Sequence, residues 1–432
     1  MPELEKVLFY ISAHFPPCAA SGVFRSLGFI RYLVSGERRW RVTLLALRDI
    51  AEERQDERLL SRVPACVNVL RTGYFDIFKV RVLFRKSSND ANATLHSALP
   101  AKKFDKAKSG LVEILSYLMK TPDSYIGWIP PGMFRALLTA KRPDVVFATA
   151  PPFSALILGV LLKKIWRRPL VVDFRDPWVH NPLRLKRPEP VERWDRLLER
   201  WVLRHADHVI MNTDEASGLY AQHYGSIREA AKISTIYNGF DERFEDLQPA
   251  VVKKSEDIVS VVHIGALYGK RDPAPLIDAM RSVGGVQIDF FGPGCEKFGN
   301  DDFSTGVTFF GPIHHSQAIR LQKGADVTLV LGNCQSGSVQ IPAKVFEILA
   351  VSNALWLIDV QDSPTRRLLI RHDVPHLFSE NRADQILRVL EMLPTMRREN
   401  KLPQLNHSVT ERFSRDSQAK ILAAILHRLA DR

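Results

Sequence analysis

The sequence predicts an α/β protein of two doubly wound, Rossmann-like domains facing a cleft. Three observations carry that expectation. The 432 residues fit two domains of roughly 200 each. Apolar runs of strand length alternate with stretches of helical spacing in both halves, as in a parallel sheet covered on both faces. Loops of small residues stand where strands end, the place ligands occupy in such sheets.

In chain order, residues 6–11 read as a strand leading into Cys18-Ala19-Ala20-Ser21-Gly22. A helix follows with Phe24, Leu27, Ile30 and Leu33 in register. The loop is not a G-x-G-x-x-G, so the dinucleotide fingerprint is absent. Residues 40–47 form the second strand. Residues 54–130 show only a helix near 111–119 and the loop 122–130. The alternation then sharpens: strand 143–149, helix 152–164, strand 169–174, helix 190–205, strand 208–212, strand 232–236. Residues 245–257 are polar and aperiodic and read as the linker. The second half gives strands 258–264, 286–291, 307–310, 327–331 and 355–359. Helices are expected up to 280, from 316, from 344, after Asp362-Ser363-Pro364, over 381–395 and over 408–430. The last carries Ile421, Leu422, Ile425 and Leu426 on one stripe. The expected domains are 1–247, 248–405 and a terminal helical segment, 406–432, that packs back toward the first.

Hydrophobic content of 45% and charge of 25% are those of an ordinary globular protein. Four dispersed cysteines, in no metal or redox spacing, read as free thiols of a reducing compartment. The acidic N-terminus runs into a strand and does not read as a signal peptide, and the apolar stretch 153–165 is too short to span a membrane. The net charge of +12 is uneven: residues 1–250 carry 38 basic and 28 acidic side chains. Within 54–108 the balance is 12 to 5, interleaved with Tyr74, Phe75, Phe78, Leu83, Phe84 and Phe104. Such a mixture suits an anionic membrane surface or a plain solvated face. No recognition motif points to nucleic acid.

The chemistry concentrates in Ser336-Gly337-Ser338-Val339-Gln340-Ile341-Pro342-Ala343-Lys344-Val345-Phe346-Glu347, after strand 327–331. Pro342 is expected in the first helical turn. A strand-end loop entering a helix N-terminus offers N–H groups and a positive dipole end to a phosphate. Lys344 opposes that dipole and so is better aimed at an anion, while Glu347 is placed to hold a ribose diol. A surface Lys–Glu pair at i, i+3 is the other reading.

Further motifs are Pro122-Asp123 with Gly127-Trp128-Ile129-Pro130, Arg142-Pro143-Asp144 through Pro152, Asp173-Phe174-Arg175-Asp176-Pro177-Trp178, Ala206-Asp207 with Asn212-Thr213, and Ile236-Tyr237-Asn238-Gly239-Phe240-Asp241. The Pro-x-Lys-x-x-Glu of 342–347 completes the set. Taken together, these resemble family 4 of the retaining glycosyltransferases, which have the GT-B fold, and its bacterial polysaccharide-building members in particular. The resemblance implies a nucleoside-diphosphate sugar as co-substrate, UDP before GDP, and neither metal nor cofactor. It assigns the donor to Glu347, Lys344, Gly337, Ser338, Gly265, Gly292, Gly294, Gly311 and Ile313. It gives Lys270 and Arg271 the charge of the leaving diphosphate, a role the chemistry requires of some cation. Ser21 and Gly22 would approach the acceptor, a glycan or lipid-linked hydroxyl. Arg175 and Asp176 would contact phosphate or assist the acceptor, or else form an ion pair that pins their loop. Each glycine reads equally as a tight strand-end turn, and Trp178 as packing.

The chain departs from the family at three places. Val339 stands where many members have the first Glu of Glu-x7-Glu, which leaves the sugar open. Ala266 replaces the Arg of a Gly-Arg-Leu loop, and Val351-Ser352-Asn353-Ala354 replaces small-Gly-x-Pro. The expected activity is retaining sugar transfer in cell-surface polysaccharide synthesis, in the cytoplasm or at the inner membrane face. A sugar-nucleotide epimerase and a nonenzymatic binder of the same fold are the alternatives. A two-lobed solute-binding protein would need an export signal.

Overall fold

The structure, a computed structural model, describes residues 5–35, 39–48, 55–75, 117–118, 120–139, 141–182, 184–225, 232–240, 244, 247–250, 257–298, 306–332 and 337–432. The chain divides into two compact units. One comprises Met1–Ile236 together with Ile421–Arg432, the other Tyr237–Lys420.

In the first unit the elements run β1 (Lys6–Ser12), α1 (Ser21–Ser35), β2 (Trp40–Leu47), β3 (Asn68–Thr72), α2 (Ile129–Thr139), β4 (Val145–Ala150) and α3 (Ser154–Trp166). They continue with β5 (Leu170–Phe174), α4 (Glu189–His205), β6 (His208–Met211), α5 (Asp214–Tyr224) and β7 (Ile233–Thr235). The sheet order is β3-β2-β1-β4-β5-β6-β7, with every pairing parallel. Strands β4 and β5 are buried throughout, as expected of strands covered on both faces. Local signals fix the helices. Thr213 accepts from Ala216 N to cap α5, and α4 carries Glu189 and Glu192 in its first turn and Arg204 and His205 in its last. The cap of α3 comes from a distant loop, Asp123 accepting from Ser154 N (2.9 Å) and Ser154 Oγ (3.0 Å).

The second unit runs β8 (Val259–Ile264), α6 (Ala274–Met280), β9 (Val286–Phe291), β10 (Val307–Phe310), α7 (His315–Gly324), β11 (Val327–Leu331) and α8 (Lys344–Val351). Then come β12 (Leu355–Ile358), α9 (Pro364–Arg371), β13 (Leu377–Ser379), α10 (Ala383–Arg398), α11 (His407–Thr410) and α12 (Arg415–Ala430), whose last turns belong to the first unit. The order β10-β9-β8-β11-β12-β13 is again all parallel. Successive side chains feed separate cores: Leu329 packs with Phe290 and Trp356, Val330 with Val345 and Leu357.

The structure differs from the sequence reading in particulars. The edge strands β3 and β13 and the helices α2 and α5 are additional. The division falls between Ile236 and Tyr237 instead of after 247, because Tyr237, Phe240 and Phe244 pack into the second unit's core. Pro342 precedes α8, whose N-cap is Ala343. Ile421 faces solvent while Leu422 and Leu426 are buried. The linker 245–257 and the helix near 111–119 lie mostly outside the described residues, as do Lys102, Lys103, Lys106, Lys108, Phe78, Leu83, Phe84 and Phe104 of the basic segment 54–108. No helix among the described residues is long and apolar enough to cross a membrane.

Candidate functional site

In a parallel sheet every strand delivers its carboxyl end to the same edge, and each unit gathers its polar residues there. In the second unit the loops after β8 and β9 cross glycine on glycine. Gly265 N donates to Phe291 O at 2.8 Å, and a Cβ on Gly292 would lie 2.4 Å from Gly265 O. With φ at +141°, Gly292 also occupies backbone space that side-chain-bearing residues avoid.

Over this crossing lies Lys344, the first residue of α8. Its Nζ sits 2.4 Å from where a Gly265 Cβ would be, and donates to Ile264 O at 3.3 Å. Burial, and then the Arg271 cation, push the amine down to about 7. Arg271 lies with its guanidinium 4.6 Å from the Tyr268 ring centre, and its buried Nε has no hydrogen-bond partner among the described residues. Lys270, by contrast, is exposed. The two predicted cations are therefore unequal: Arg271 faces Lys344, and Lys270 faces solvent.

Glu347 stands one turn along α8 and accepts from His315 Nε2 at 3.2 Å. Its partner is thus a histidine across the edge rather than Lys344, so the i, i+3 surface pair does not form. Gly337 takes φ of +76° with nothing among the described residues near the place of its missing Cβ, and Ser338 Oγ accepts from Gln340 N at 3.3 Å, tightening the approach to α8. Gly294 passes against Leu267, its missing Cβ 2.4 Å from Leu267 O. Gly311 is exposed and open, while Ile313 packs on Val262, Phe291 and Ala325.

Sequence reasoning missed two further groups at this edge. His263 is fully buried on β8, its Nδ1 3.0 Å from Leu329 O and its Nε2 without a partner among the described residues. Burial and the Lys344 charge hold it far below the usual histidine range, hence neutral. The Cys295 thiol is pushed up to about 11 by burial, against the pull of Lys344. The available signal for His263 was a histidine inside a strand that is apolar but for Ser260.

At the edge of the first unit Arg175 is buried. Its Nε donates to Ala150 O at 3.2 Å and its Nη2 to Pro151 O. Its Nη1 fills the space of a Gly22 Cβ, only 0.9 Å from that position, at the start of α1 where Ser21 is the first residue. Gly22 and Arg175 are thus brought together as the sequence suggested. A second carboxylate pins this region: Asp173 takes Arg25 through Nη2 (2.7 Å) and Nε (3.2 Å), and Thr149 Oγ1 at 2.7 Å. Asp176 is partly exposed and near enough to favour the Arg175 charge. His14 was also missed. Burial and the Arg175 charge bring its imidazole down to about 4. Trp178 stacks on Phe153 at 4.7 Å and donates to Asp195 at 3.0 Å, so it packs.

Two all-parallel α/β units with glycines and cations at their strand ends have the GT-B architecture. Residues 78–244 match the family model Glycosyltransferase Family 4. Solved structures align over nearly the whole chain. Anabaena HepE in complex with UDP is 16% identical at a TM-score of 0.62, covering 98% of this chain and 100% of that one. Sucrose-phosphate synthase from Thermosynechococcus elongatus is 14% identical at 0.62, covering 98% and 99%. A UDP-N-acetylglucosamine 2-epimerase is 11% identical at 0.53, covering 99% and 98%. No curated protein matches the sequence. At these identities the likeness is one of fold, which bears out the fold class read from the sequence, and the family model bears out the resemblance to family 4 over residues 78–244.

Proposed function

We propose that the protein is a retaining glycosyltransferase that moves a sugar from a nucleoside-diphosphate sugar, UDP before GDP, to a hydroxyl of a glycan or lipid-linked acceptor in cell-surface polysaccharide synthesis. The observation that carries this is the edge of the second unit. There Lys344 and Arg271 stand at a helix N-terminus over a glycine crossing, short of acceptors, with Glu347 one turn away. A diphosphate supplies the missing acceptors and a ribose diol suits the carboxylate. UDP is the nucleotide in the Anabaena structure.

The bond from the sugar's anomeric carbon to the diphosphate breaks, the bond to the acceptor oxygen forms on the same face, and the acceptor's proton passes to the departing phosphate. Lys344 and Arg271 hold the charge that builds there, the work a metal does in other transferases. Gly311 and Ile313 border the base, and Gly22, Ser21, Arg175 and Asp176 serve the acceptor side. The three described free cysteines support a reducing, cytoplasmic setting, and a lipid-linked acceptor places the work at a membrane face. Calorimetric titration with UDP, GDP and their sugars tests this on wild type and Glu347→Ala. One nucleotide should bind, and weaken at least tenfold in the variant. Binding of none would overturn the reading. Release of free epimerised sugar nucleotide without an acceptor would favour the epimerase.

A further inference from the structure

We infer that the outer face of α2, with the adjoining end of α3, is the surface by which this protein docks on an anionic lipid bilayer. A helix on the outside of an α/β unit should turn polar residues to solvent. Helix α2 does the reverse. Gly132 and Ala136 are buried, and the solvent side carries Phe134 at 67% exposure, Leu137 at 42% and Leu138 at 67%. Their spacing of i, i+3 and i+4 makes them one stripe.

The stripe continues onto α3. A Cβ on Gly132 would lie 2.9 Å from Leu158 Cδ2, and Arg142 Nε donates to Trp166 O at 3.0 Å. The two helices therefore run side by side with their C-terminal ends level, which places Ile165, 49% exposed, at the same end of the pair as Leu138.

Charge complementarity chooses the occupant. Residues 129–168 hold seven basic side chains and one acidic, Asp144. Lys141, Arg142, Lys164 and Arg167 are exposed and cluster at the helix ends that flank the apolar stripe. An apolar strip rimmed by cations suits insertion among acyl chains with the ammonium and guanidinium groups at the phosphates. A protein partner of ordinary composition would bring acidic residues to a few of these cations. A bilayer brings phosphate to all of them.

The inference rests on the lipid-linked acceptor reading and locates it, and one experiment separates the two. Co-sedimentation with phosphatidylglycerol-containing and pure phosphatidylcholine vesicles is measured for wild type, Phe134→Glu/Leu138→Glu and Lys141→Gln/Arg167→Gln. Wild type should bind the anionic vesicles, the glutamate pair should bind at least about tenfold more weakly, and the glutamine pair should lose much of the salt dependence. Both substitutions lie on exposed positions, and an unchanged thermal midpoint and UDP affinity would show the fold intact. Wild type ignoring anionic vesicles sinks this surface and the membrane setting together. Unaltered vesicle binding by the glutamate pair sinks the surface alone. A dimer dissolved by Phe134→Glu/Leu138→Glu, without vesicle binding, would assign the face to a second copy and overturn the inference.

Discussion

The strand-end edges of the two units share a topology and differ in how they treat charge. At the first, ionised groups are buried with their partners. Arg25 and Asp173 pair at 2.7 Å with neither exposed, and Arg175 spends two nitrogens on backbone carbonyls. Behind it, Glu199 accepts from Tyr220 and Tyr224 and from Val179 N, and Asp195 from Trp178, Arg184 and Arg187. At the second edge a lysine at a helix N-terminus has one long bond, an arginine nitrogen and a histidine nitrogen have none among the described residues, and a glycine crossing lets the ammonium lie close against the backbone. The first edge uses charge to fix loops. The second holds its cations with few acceptors among the described residues.

The comparison breaks most easily at Asp173. Asp173→Ala strands Arg25 without its carboxylate in the core, and should cost about 3–5 kcal/mol, read as a fall in the urea midpoint. If that loss is under about 1 kcal/mol, the first edge is not held by its ion pair. Next comes Gly265→Ala. Its Cβ would lie 2.4 Å from the Lys344 ammonium and displace it, so nucleotide affinity should drop at least tenfold while the first unit's melting is unmoved.

Lys344→Met sharpens the contrast through pH. The folded value of about 7 lies below the ordinary 10.5, so the unfolded chain binds more protons between them. Stability should therefore rise with pH across that window in wild type and lose that slope in the variant. A diphosphate favours the ammonium, so wild-type binding should take up a proton above pH 7 and weaken as pH rises, as titration in buffers of different ionisation enthalpy would report. The smallest effect is expected at Lys270. Being exposed, its replacement by Gln should shift stability by less than about 0.5 kcal/mol and reduce UDP affinity less than Arg271→Gln.

Much of this was legible in the sequence because parallel strands buried on both faces read as unbroken apolar runs, such as Val327 to Leu331. Strands β3 and β13 escaped because they are edge strands, one of five residues and one of three, with polar members. Helix α5 escaped because its sequence, DEASGLYAQHY, carries little apolar stripe, and its Thr213 cap is a weak cue alone. At the site, Gly265, Lys344 and Glu347 could be found because glycine, a helix start and a short spacing are local signals. Arg25 with Asp173, 148 positions apart, and His263 beneath Lys344 could not. Their pairing is made by strand order, which no local pattern encodes.

Helix α12 has a consequence for biosynthesis. Residues Ile421–Arg432 complete the first unit: Trp40 Nε1 donates to His427 Nε2 at 3.2 Å, and Lys6 pairs with Asp431. The second unit, Tyr237–Lys420, is one uninterrupted stretch. On the ribosome, where domains fold as they emerge, the unit translated second is thus the first that can close. The unit translated first keeps one side of Trp40 uncovered until residues 421–432 arrive.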